Sequence, residues 1–235
     1  MDNQININNN NLANYVMFKL DKLENSFTEQ ELNQIKEIVI DYKEETEDSY
    51  ISLEELLKFK KLESLTLRNG YIYNDNYEIL LALVCLNSLT FENCEFENAD
   101  LISSLKLKSL SLINCKIESY LFISLLNNLN ELTIIKGKVE ISKINLLKDL
   151  KYLQLSYSRI LDNTALTLNN LEELYLDNTN ITDFSFLNNL ANLQKISIDE
   201  NQYNSNKVLF DKLVKNDILV LNEGITEFGG DINEL

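Results

Sequence analysis

The sequence predicts an α/β solenoid of stacked coils, on the strength of a recurring phrase, its fixed apolar spacing and helical stretches at both ends. Aligned on leucine, the phrase reads LESLTLRNGYI from Leu62, LNSLTFENCEF from Leu86, LKSLSLINCKI from Leu107 and LNELTIIKGKV from Leu129. It continues as LKYLQLSYSRI from Leu150, LEELYLDNTNI from Leu171 and LQKISIDENQY from Leu193. Successive starts lie 24, 21, 22, 21, 21 and 22 residues apart, and offsets 0, 3, 5 and 10 stay apolar, with Tyr203 the weakest member. Side chains alternate across a strand, so offsets 3 and 5 share one face and the residues between them face outward. Offsets 0 and 10 close the coil. One coil cannot bury its own leucines, but stacked coils bury them against neighbours at roughly 1.5–3 kcal/mol per large apolar side chain.

The remaining elements follow in chain order. The tail NQININNNN reads as mobile or loosely docked, and LANYVMFKLDKL (residues 12–23) puts Leu12, Tyr15, Val16, Leu20 and Leu23 at helical spacing. A second short helix can start at Thr28, where Glu31 completes a capping box, and Ile35, Ile38 and Ile40 form a degenerate first strand. DYKEETEDSY (residues 41–50) is a charged loop, and Ser52 with Glu55 forms another capping box. Between phrases, NYEILLALVCL suits a short helix, whereas LDNTALTLNN is short, polar and irregular. NKVLFDKLV reads as a helix and DILVL (217–221) as a last strand, before the tail EGITEFGGDINEL. The expected organisation is an N-terminal tail, helical cap and degenerate repeat over 1–61, seven repeats over 62–203, and a C-terminal cap and tail over 204–235.

The phrase resembles the leucine-rich repeat, LxxLxLxx(N/C)x(L/I), across residues 62–203. That resemblance implies a curved right-handed solenoid with one parallel β-sheet on the concave face and short helices and irregular turns on the convex face. NITDFSFLNNLANL (180–193) is similar to the I-T-D-L-S-P-L return segment of bacterial internalin-type repeats, with Phe184 and Phe186 replacing the leucine and proline. The other copies lack this T-D-x-S stretch.

Composition narrows the function classes. The content of 45% hydrophobic and 25% charged residues is globular, and 235 residues suffice for one or two domains. A formal net charge of -16 repels phosphate backbones and anionic lipid surfaces, so neither nucleic acid nor a membrane is an expected partner. Zero histidines remove the usual general base, the commonest metal ligand and imidazole-based triads. The first thirty residues carry no basic start followed by an apolar run, and no stretch reaches the ~18 apolar residues of a membrane span. A soluble, cytoplasmic protein is expected, with a monomer favoured. Three cysteines fit a reducing compartment better than a disulfide framework.

No residue pattern demands catalysis, a cofactor or a metal. Cys94 and Cys115 could form a redox pair or bind a metal, but both fall at offset 8, where the other copies place Gly70, Gly137, Ser158, Thr179 and Asn201. The repeat family accepts Asn or Cys there, which implies an inward position meeting unpaired backbone groups, so replacing Cys115 by Ser or Asn should be mild. Cys85 reads as core, and the five glycines form neither GxGxxG nor GxxxxGK(S/T). The pairs Glu172/Glu173 and Asp199/Glu200 are read as solvated acidic surface, because adjacent strand residues point to opposite sides.

What remains is the outward face at offsets 1, 2, 4, 6 and 7. Stacking brings equal offsets of neighbouring repeats within ~5 Å. Offset 6 runs Arg68, Glu92, Ile113, Ile135, Ser156, Asp177 and Asp199; offset 7 runs Asn69, Asn93, Asn114, Lys136, Tyr157, Asn178 and Glu200. Early columns are small and neutral, and the last two repeats are acidic. In repeats three to five, Ile113 and Ile135 are expected beside Tyr152, Tyr157 and Tyr175, framed by Lys108, Lys136 and Lys151. Those three lysines against Glu131 give a local net charge of +2. Such a cluster marks a candidate surface for a protein or peptide partner. The alternative is that these residues stabilise the strands by lateral pairing and bind nothing. The reading is a non-catalytic protein-binding module, in one version an inhibitor or immunity-type protein masking an enzyme. A secreted effector, an adhesin and an enzyme are the competing readings.

Overall fold

The computed structural model describes residues 4–42 and 53–221. The box at Ser52, most of the charged loop and the tail EGITEFGGDINEL lie outside the described residues. The chain divides into two compact units, residues 1–128 and 129–235.

In the first unit, β1 (Glu37–Asp41), β2 (Ser64–Arg68), β4 (Ser88–Glu92) and β6 (Ser109–Ile113) form a parallel ladder in that order. Two-residue strands β3 (Tyr71–Ile72) and β5 (Glu95–Phe96) pair beyond it. Leu65, Leu89 and Leu110 share one register line, with Ile38 ahead of them, and all four are fully buried. The period-2 leucines therefore set both the strands and the stacking. The return segments are α3 (Asn74–Ala82) and 3-10 turns over Ala99–Ser104 and Leu121–Leu125, with another over Leu53–Lys58 before β2.

The front of this unit is capped by α1 (Asn10–Lys19) and α2 (Glu29–Leu32). Thr28 accepts from the Glu31 N–H while the Glu31 carboxylate accepts from the Thr28 N–H, the reciprocal capping box. That N–H, with Lys22 beside it, holds Glu31 down at about 2. One expectation is corrected here, and of the two alternatives for the tail the docked one is observed. Helix α1 ends at Lys19, Leu20 is half-buried and Leu23 is 99% exposed, because the buried stripe runs through Leu12, Ala13 and Val16. The polar leader is docked: Ile5 bridges Phe27, Ile7 is buried, and Asn9 caps α1 by accepting from the Leu12 N–H.

In the second unit, β7 (Glu131–Ile135), β9 (Tyr152–Gln154), β11 (Glu173–Tyr175), β12 (Lys195–Ser197) and β13 (Leu219–Leu221) form a parallel ladder. Strands β8 (Lys138–Val139) and β10 (Arg159–Ile160) pair beside it. The return segments are α4 (Ile141–Ile144), an irregular stretch through 161–170, and a 3-10 turn over Ser185–Asn189. Helices α5 (Glu200–Ser205) and α6 (Lys207–Lys215) close the unit. Phe210 of α6 is fully buried, edge-on to Phe184 and stacked on Tyr203.

The seventh phrase departs from the others. Asp199 caps α5 by accepting from the Asn201 and Gln202 N–H groups, so the chain turns helical where the earlier phrases continue extended. Asn201 is consequently exposed rather than inward, and Tyr203 is half-buried with its hydroxyl on Asp211. No helix among the described residues is long and apolar enough to cross a membrane.

Candidate functional site

Offset 8 serves the same structural task in three of the repeats. The Cys94 thiol donates to the Leu67 carbonyl, Cys115 to Phe91, and the Ser158 hydroxyl to Ile134. Each acceptor is the offset-5 carbonyl of the preceding repeat, near the end of its strand. Gln202 replaces Asn201 in this work, its amide reaching the Leu176 carbonyl at 3.1 Å. Burial raises the thiol of Cys94 and pushes that of Cys115 up to about 12. Both are neutral at physiological pH and poor nucleophiles.

Offset 7 is a turn position rather than part of the strand face. Asn69, Asn93, Asn114, Lys136, Tyr157 and Asn178 all have φ between 51° and 61°. Asparagine tolerates this left-handed region better than most residues, which accounts for its recurrence. In the first unit the asparagines also bond one another: Asn114 Nδ2 donates to Asn93 Oδ1, Asn93 to Asn69, and Asn69 to Asp41. Lys136 and Tyr157 adopt the same backbone without asparagine's advantage, and both are exposed.

The strand face of the second unit is covered by its tyrosines. Rings of Tyr152 and Tyr175 lie 5.2 Å apart, and Lys195 Nζ stands 5.1 Å over Tyr175. The Tyr152 hydroxyl donates to Gln154 Oε1 and the Tyr175 hydroxyl to Glu173. Burial and the neighbouring Tyr175 raise the Tyr152 hydroxyl above its ordinary value. Past the short strands the chain bends inward, so Ser156 and Asp177, expected outward at offset 6, are fully buried. Ser197 donates to Asp177 Oδ1 at 2.8 Å and Ser156 to Oδ2 at 3.2 Å. Burial raises the Asp177 carboxyl, and the two hydroxyls offset this only in part.

The other expected partner-binding residues divide between the units. Lys108 is exposed just ahead of β6 and Ile113 is half-buried at its end in the first unit; Ile135 is half-buried at the end of β7 in the second. Lys151 donates to Glu172 at 2.8 Å, which draws its charge into an ion pair and raises its pKa. The expected local surplus of positive charge is therefore not free at that position.

The InlC2 internalin of Listeria monocytogenes superposes with a TM-score of 0.62 at 21% identity, covering 84% of this chain and 98% of its own. The fold is that of a leucine-rich repeat protein. The InlF internalin of the same species aligns over 91% of this chain and 88% of its own, at 18% identity and a TM-score of 0.48. No family model and no curated protein matches the sequence.

Two further features of the chain were not expected from the sequence. An open cavity of about 330 Å³ lies beside the irregular return segment, floored by Leu153, Leu155, Ile160 and Leu176. Asp162 and Asn180 at its rim accept the Ile141 and Ile160 N–H groups, so those polar atoms serve the coil rather than a guest. The second is a lateral charge code. Lys36–Glu63, Arg68–Glu92, Glu95–Lys116, Lys151–Glu172 and Glu173–Lys195 each pair equal offsets of successive rungs. This regularity was readable down the offset columns, but only once register was fixed.

Proposed function

We propose that this leucine-rich repeat protein is a non-catalytic protein-binding module that engages its partner through the strand face. The observation that carries the reading is the Tyr152–Tyr175 pair, two aromatic rings held in contact on the outward side of β9 and β11 with Lys195 above. Their hydroxyls are already oriented by Gln154 and Glu173, so little side-chain freedom remains to be lost on binding. Rigid aromatic side chains with a polar handle are the usual anchors of a protein interface. Catalysis has weak support: the sequence holds no histidine, and the Cys94 and Cys115 thiols are engaged with backbone carbonyls. The acidic net charge of -16 suits a version in which the module masks a basic enzyme in the cytoplasm.

The test is capture of a partner by the full chain from its source lysate, identification, and titration of the purified pair. Tyr152→Ala with Tyr175→Ala should weaken that complex by about tenfold or more, since interface aromatics carry ≥ ~2 kcal/mol when truncated at a hot spot. An unchanged Kd in a variant that keeps its circular dichroism would remove the strand face from the interface.

A further inference from the structure

Lys138 and Arg159 break the lateral charge code. They are in register on β8 and β10, side by side, and both are exposed. Like charges directly opposite one another repel, whereas the other lateral pairs named above are complementary. Neither forms an ion pair with a described residue.

Lys136 and Tyr157 stand on the same two rungs, two residues earlier. The β7–β9 register pairs Thr133 with Gln154, and each of the two lies three residues further along. The Arg159 N–H donates to the Gly137 carbonyl, which ties the rungs together between the two side-chain rows. Lys136 also lacks an ion pair among the described residues, and Tyr157 is 39% exposed. Both occupy the left-handed conformation that Asn69, Asn93, Asn114 and Asn178 fill elsewhere. Of the carboxylates close by in sequence, Asp162 accepts the Ile141 and Ser142 N–H groups, and Glu140 forms no ion pair with a described residue.

We propose that Lys136, Lys138, Tyr157 and Arg159 form a second binding surface, on the rim beyond the strand ends, for an acidic, carboxylate-bearing segment of a protein. Two features at the same place run against the local rules of the fold, a like-charge pair and two non-asparagine residues at positive φ. An acidic guest gives both a role. The lysines and the arginine fork supply charge-assisted hydrogen bonds to carboxylates, and the Tyr157 ring supplies a flat contact between them. The chain's net charge of -16 disfavours a long polyanion such as nucleic acid, whose phosphates would meet repulsion beyond the rim. A short acidic segment needs to meet only the rim.

The test uses the full chain and fluorescein-labelled hexaglutamate, read by anisotropy at low salt. Wild type should bind, with affinity falling as salt rises, and Lys138→Glu with Arg159→Glu should weaken binding by about tenfold or more. Lys148→Glu with Lys207→Glu, two exposed sites in the same unit, makes the same change in net charge and should alter binding less than about twofold. Lys138→Glu alone creates a complementary lateral pair with Arg159, so it should weaken binding while raising Tm. Absence of binding by wild type, equal losses in rim and control variants, a lower Tm for Lys138→Glu, or tighter binding of a single-stranded oligonucleotide each overturns the proposal. The strand face is tested with its captured partner and the rim with hexaglutamate, so either can fail alone.

Discussion

Tyr157 sits at φ 60° with its backbone N–H bonded to the Asp177 carbonyl, so the turn is held by the neighbouring rung rather than by its own side chain. For a bulky L-residue that region is disfavoured by about 1 kcal/mol, and asparagine carries less of this penalty. Tyr157→Asn should therefore stabilise the fold by roughly 0.5–1 kcal/mol, read as a higher urea midpoint with an unchanged slope. A lower midpoint would mean that the ring's own contacts outweigh the backbone strain. Cys115 shows the opposite logic at the same scale. Its thiol does what the Ser158 hydroxyl does two repeats later, so its chemistry is a hydrogen bond to a carbonyl. The inward role of offset 8 was visible in the recurring small residues. The turn role of offset 7 was equally encoded by its asparagines, but a column of polar residues beside a strand reads as exposed face unless the backbone is known.

Among the elements, β9 and β11 are where sequence and structure diverge most. Regular alternation predicts offset 6 outward, and in the first unit it holds, with Arg68 and Glu92 paired across β2 and β4. In the second unit β9 and β11 stop after three residues, and Ser156 and Asp177 turn into the interior. The pattern of apolar offsets is identical in both units, so strand length, which decides this, is not written in it. Gln154 is likewise buried, with Tyr152 bonded to it from two residues earlier on the same strand. The buried Asp177 has a measurable consequence. Burial raises its carboxyl above the ordinary aspartate value, so the folded state holds the proton more tightly than the unfolded chain. Its contribution to stability is complete below the ordinary carboxylate range and is lost as pH rises through the raised pKa. Asp177→Asn, which keeps the shape and can still bond Ser156 and Ser197, removes that dependence. The stability of the variant relative to wild type should thus increase as pH rises through that window and then level off. Urea midpoints at stepped pH check this, and a difference that stays flat or shrinks with pH would contradict the burial argument. Subtracting wild type isolates Asp177 from Asp162. Burial acts against ionisation of Asp162 too, but the Ser142 and Ile141 N–H groups outweigh it and lower its carboxyl.

For the molecule as a whole, two electrostatic effects compete. A net charge of -16 repels itself over long distances, which disfavours the compact state. Against this stand lateral pairs such as Arg68–Glu92 at 2.8 Å, Lys151–Glu172 at 2.8 Å and Lys36–Glu63 at 3.1 Å. These are surface pairs, each worth about 0–1 kcal/mol. Their separations lie far inside the Debye length, which shrinks from roughly 30 Å at 0.01 M to roughly 8 Å at 0.15 M salt. Salt in that range therefore screens the long-range repulsion strongly and the contact pairs weakly. Thermal unfolding should move to higher temperature as sodium chloride rises from about 0.01 M to about 0.15 M, by a few degrees. A falling Tm would mean that the complementary rungs outweigh the net charge, so that the lateral code, more than the leucine core alone, sets how the fold responds to its surroundings. The like-charged Lys138–Arg159 rung should answer in the same direction as the whole chain, since screening relieves it too. Lys138→Glu makes the net charge of -16 two units more negative and removes only a contact that salt screens weakly, so its Tm should rise with salt at least as much as that of wild type; a smaller rise would mean that the local rung, rather than the net charge, dominates the response.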